Sequence, residues 1–133
     1  MTESIQNEHA RTLYTLARAE ESTLSLPLPD HVFGFLAQQS YEKYMKALLS
    51  ARDNDFPRNH DLVALQRLLA AGGETLPETP MDLADLQPYA VQLRYEMNDA
   101  GDLSRSSILS SIQIVGRHVL SRILAIEAAT PPE

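Results

Sequence analysis

Residues Phe35 to Leu62 read FLAQQSYEKYMKALLSARDNDFPRNHDL: two adjacent amides, Gln38 and Gln39, and the charges Glu42, Lys43 and Lys46 lie on an apolar helical pattern. A short loop holding Arg58 and His60 follows, and then a new apolar run. At about 100° per residue, Phe33, Ala37, Ser40, Tyr44 and Ala47 share one face of this helix. Gln38, Glu42 and Lys46 stack four apart on the far side, with Gln39 and Lys43 in a parallel row. Glu42 to Lys46 is a favourable i,i+4 pair worth roughly 0.3–0.5 kcal/mol. Phe35 and Leu49 fall on this same polar side, with Met45 at its edge. Large apolar groups beside an amide and ion-pair row predict a contact surface. Phe35, Gln38, Glu42, Met45 and Leu49 are therefore the candidate subunit interface; a solvated face and a ligand site are the alternatives.

Working outward, the helical period holds along the whole chain, and no stretch alternates as a strand does. A first helix is expected from Glu3 or Ser4 to about Glu21, ended by LPLPD at Leu26 to Asp30. Two prolines there cannot continue a helix, and Asp30 can cap the next, expected over His31 to Ala51. The third starts at Asn59 to Asp61 and carries Leu62, Leu65, Leu68 and Leu69 up to Gly72 and Gly73. A fourth is expected over Leu83 to Met97, started late or kinked by Pro88. Ser104 and Ser107 open the last, to about Glu127, with Ile108, Ile112, Val115, Val119, Ile123 and Ile126 at spacings of three and four. The reading is one domain spanning residues 1–133, an all-α up-and-down bundle of about five helices.

Composition narrows the function classes. The chain has 133 residues, 44 % hydrophobic and 22 % charged, a globular balance with enough length for one core. Cysteine is absent, which removes disulfides, thiolate-bound zinc and thiol catalysis. The polar, acidic start and the lack of any long apolar run point to a cytoplasmic protein off the membrane. The net charge of −7 opposes nucleic acid unless cations gather locally. Some do: Leu103 to Ile126 has no acid but contains Arg105, Arg117 and Arg122. His9, His31, His60 and His118 lack the spacing of metal ligands, so no metal and no cofactor is expected. No phosphate loop or Ser-His-Asp signature occurs. His60 at a helix start either packs there or joins Arg58 and Arg94 in holding a phosphate at the helix N-terminus. Arg94 is equally a candidate ion-pair partner for Glu42.

Three segments together resemble the HEPN family (higher eukaryotes and prokaryotes nucleotide-binding domain). That family has a helix of the form A-x-x-Q-Q-A-x-E-K-x-x-K-A, then P-R-x-H-D-L, then a helix ending R-Y-P. Gln38, Gln39, Glu42, Lys43, Lys46 and Ala47 match the first; Pro57, Arg58, His60, Asp61 and Leu62 the second; Arg94 and Tyr95 the third, with Glu96 in place of proline. The core motifs span about residues 33–96. The resemblance implies a five-helix bundle, a homodimer and a tie to nucleotides or RNA. Many members are metal-independent ribonucleases with an R-x(4–6)-H motif. Here Arg58 precedes His60 by two positions, Arg52 by eight, and Arg117 abuts His118, so the spacing is not met. Other branches lack the motif and pair with a minimal nucleotidyltransferase in toxin–antitoxin or defence systems. The expectation is a homodimeric binding module of that kind, with Lys46, Arg58, His60 and Arg94 as ligand residues. The alternatives are a ribonuclease using Arg58, His60 and Arg94, or a purely structural helical partner.

Overall fold

The computed structural model describes residues 5–58, 60–89 and 104–129. The fold is all-α. Among the described residues it consists of α1 (Glu8–Thr23), α2 (Asp30–Ala51), α3 (Leu62–Ala71), two single 3-10 turns (Leu83–Asp85 and Gln87–Tyr89) and α4 (Arg105–Ala129). The expected fourth helix begins as these turns, broken at Pro88, which lacks the N–H a continuing helix needs. Its remainder lies outside the described residues, as do Arg94, Tyr95 and Glu96.

Helix α2 is the axis of the molecule. Thirteen of its 22 residues are buried, from Phe33 and Gly34 to Leu49 and Ser50. α1 lies antiparallel along it: Asn7 and His9 sit by Ser50, and Ala17 accepts a hydrogen bond from Ser40. α4 runs in the same direction as α2, with Arg105 bonded to Asp30 at one end and Gly116 against Tyr44 further on. α1 and α4 are closed at the far end by the Glu127 carboxylate, which accepts from the backbone N–H groups of Gln6 and Asn7.

The helix ends follow local chemistry. Asn7 caps α1, accepting from Ala10 N–H at 2.9 Å, and so starts the helix at Glu8 rather than at Glu3 or Ser4. Asp30 does not cap α2; Pro29 holds that position, and the Asp30 carboxylate instead takes the Arg105 guanidinium at 2.7 Å. Asp61 caps α3 through Ala64 N–H. α2 and α3 both finish in Schellman turns. Asp53 stands at φ 61° in the first and Gly73 at φ 95° in the second, and Asn54 and Glu74 N–H return to Leu49 and Leu69 carbonyls. The second turn aims Glu74 inward. Its carboxylate, 4 % exposed, takes two parallel bonds from Arg122 of α4 (2.9 and 2.8 Å) and one from Arg52 beyond α2 (3.0 Å).

Candidate functional site

The 52–61 loop reverses out of the Asp53 turn and returns along α2, so α3 begins beside the middle of α2 rather than at its end. Lys46 holds the loop, its ammonium 5.4 Å from the Phe56 ring centroid, while His9 stacks against the same ring at 6.3 Å. This delivers His60 to Glu42. Two oxygens of Glu42, a side chain 5 % exposed, accept from His60 Nδ1 at 2.9 and 3.1 Å, from Lys46 Nζ at 2.7 Å and from Gln38 Nε2 at 3.0 Å. Gln38, fully buried, also donates to the His60 carbonyl at 3.2 Å. Its own oxygen accepts from Gln39, whose oxygen accepts from Lys43, which pairs with Glu20 of α1 at 2.9 Å. The amides and charges on α2 are thus one continuous network from loop to α1.

Burial pushes the Glu42 carboxyl up, but the bonds from Lys46, His60 and Gln38 outweigh it and hold the group below its ordinary value. Glu42 is therefore an anion that can only accept. His60 Nδ1 must carry the proton, and in the neutral ring Nε2 is left as the acceptor. The His60 side chain is 53 % exposed, and its Nε2 makes no hydrogen bond among the described residues. Arg58 is exposed and makes no ion pair or hydrogen bond among them. A ring fixed at one nitrogen and open at the other, two residues from an unengaged guanidinium, can contact an anion or exchange a proton.

The expected ligand set is only partly gathered. His60 and Lys46 meet on Glu42, but Lys46, with its side chain 13 % exposed, is spent on Glu42 and Phe56 and turned inward. Arg58 shares the loop, and Arg94 lies outside the described residues. The expected interface is corrected. Gln38, Glu42, Met45 and Leu49 are buried in the chain's own core, and only Phe35 is half exposed. α2 is covered by α1, α3, α4 and the returning loop together, so its polar row faces inward rather than toward a second subunit. Two residues went unread in the sequence. Glu74 lies in a loop, and nothing in its spacing ties it to Arg122. Gln87, whose oxygen accepts from Leu62 N–H at 2.7 Å, supplies a second cap to α3.

A family model described as HEPN domain matches residues 12–120. Comparison with curated proteins gave no match, and comparison with solved structures gave none either.

Proposed function

The chain belongs to the HEPN domain family, and from that premise we propose that it is a helical binding module whose Arg58–His60 loop receives the phosphate of a nucleotide or of RNA. The observation carrying this reading is the Glu42-anchored His60, presenting Nε2 to solvent near the unengaged Arg58. We further propose that the module acts as a homodimer and as the cytoplasmic partner of a minimal nucleotidyltransferase in a toxin–antitoxin or defence system. Family membership alone supports these parts. No helix among the described residues is long and apolar enough to cross a membrane.

Calorimetric titration with ATP, GTP and a short RNA tests the site. Arg58→Ala and His60→Ala are each expected to weaken binding roughly tenfold, the worth of one charged hydrogen bond. Affinity unchanged in the double variant places any nucleotide elsewhere. Light scattering, and co-purification with a nucleotidyltransferase, test the assembly.

A second reading, a metal-independent ribonuclease, is favoured by the same Glu42–His60 pair, since a carboxylate-oriented imidazole is a competent base. Against it stand the unmet Arg/His spacing and the single general base. Total RNA incubated in chelator is expected to stay intact; degradation that His60→Ala abolishes would establish the enzyme instead.

A further inference from the structure

Beside α3 the chain leaves a cleft that the phosphate site does not use. Tyr41 of α2 and Val63 and Gln66 of α3 form one wall, and the Leu76–Leu83 segment forms the other. Its volume is about 630 Å³, enough for a small molecule or a long side chain. The segment is held as a wall rather than a flap. Glu74 is clamped by Arg52 and Arg122, Met81 N–H donates to Ser111 of α4 at 3.1 Å, and Asp82 caps the following turn. Proline at positions 77 and 80 stiffens it further.

Two independent features of the cleft point to a ligand. Tyr41 is 3 % exposed, yet its hydroxyl makes no hydrogen bond among the described residues. The hydroxyl is not sealed from the surface, and Tyr41 lines the cleft. A phenol buried this deeply normally finds a partner. The second feature is charge. Among the described residues, the charged groups lining the cleft are Glu78 and Asp82, both exposed and neither in an ion pair, and no Lys or Arg lines it. A phosphate is repelled here, which separates this cleft from the Arg58–His60 loop.

We propose that the cleft binds an aliphatic diamine or guanidino-amine, with its cationic head between the Glu78 and Asp82 carboxylates, its stem over Val63, Leu76 and Met81, and an N–H reaching the Tyr41 hydroxyl. A free metabolite and the Lys or Arg side chain of a partner share this chemistry. Backbone amide NMR of the full chain, titrated with agmatine, with N-acetyl-arginine amide and with butanol, tests it. Agmatine is expected to shift the amides of Gln66, Glu78 and Leu83. Tyr41→Phe should weaken it about fivefold, and Glu78→Gln with Asp82→Asn about tenfold; asparagine keeps the cap at position 82. Arg58→Ala should leave it unchanged, so this result and that of the phosphate site stand or fall separately. Binding by the acetylated amide and not by agmatine supports the same chemistry supplied by a protein side chain. The proposal is overturned by no shift with either cation, by equal shifts with butanol, or by affinity indifferent to the Tyr41 and carboxylate variants.

Discussion

Glu42 is the side chain on which most depends locally. It anchors a lysine, a histidine and a glutamine while nearly closed off from water, so removing it leaves the Lys46 ammonium largely buried without a counter-charge. Breaking such a pair from one side costs about 3 kcal/mol. Glu42→Ala is expected to lower the melting temperature by roughly 10 °C, and to release the His60 ring, visible as averaging of its imidazole NMR signals. A loss of less than about 1 kcal/mol in chemical denaturation would show that water reaches Lys46 and that the network is ornamental. The residue types and their four-residue spacing were legible in the sequence; their direction was not. A wheel places Gln38, Glu42 and Lys46 opposite the α1-facing stripe, and polar residues there normally meet solvent. What the wheel lacks is the returning loop, which covers that side with His60 and Phe56, groups ten or more residues away along the chain.

Among the elements, α4 approaches α2 more closely than side chains normally allow. A Cβ added to Gly116 would come within 2.7 Å of the Tyr44 ring, which is fully buried and hydrogen-bonded to Glu21 at 2.6 Å. The ring, the helix or both must shift to admit it. Gly116→Ala is expected to destabilise the fold by about 1–3 kcal/mol despite alanine's better helix propensity, as read by urea unfolding. Pairing it with Tyr44→Leu should recover part of the loss, because the clash is with the ring. The α4 stripe from Ile108 to Ile123 was plain from sequence and is buried as the period of three and four requires. Gly116 carried no such signal, since a glycine inside a helical period reads only as a weak point. The expected helix over residues 83–97 shows the opposite limit. Apolar spacing supports a helix there, but Asp82 capping and Pro88 divide its start into two 3-10 turns.

Across the whole molecule, two inward carboxylates make stability depend on acid. Glu74, through Arg122 first and Arg52 as well, and Glu42, through Lys46 and His60 against its burial, both titrate below the ordinary value of 4.5. Groups depressed in the folded state contribute stability that is present above their unfolded pKa and lost as pH falls through the folded one. The melting temperature is expected to be level from about pH 7 to 5 and to fall steeply below about pH 4.5. Glu74→Gln should flatten that fall while lowering the plateau; an acid limb unchanged in both Glu74→Gln and Glu42→Gln would locate the linkage elsewhere. The central position of α2 also has a consequence during synthesis. Its α1 face is covered as soon as the first hairpin leaves the ribosome, but the face that meets α4 stays open while Arg52 to Ser104 are made. At translation rates that is on the order of 3–10 s. Throughout that interval the nascent chain shows water a stripe of tyrosine, leucine and alanine that the 25-residue α4 later covers. Chains stalled before α4 should therefore be the ones that chaperones bind and proteases clear.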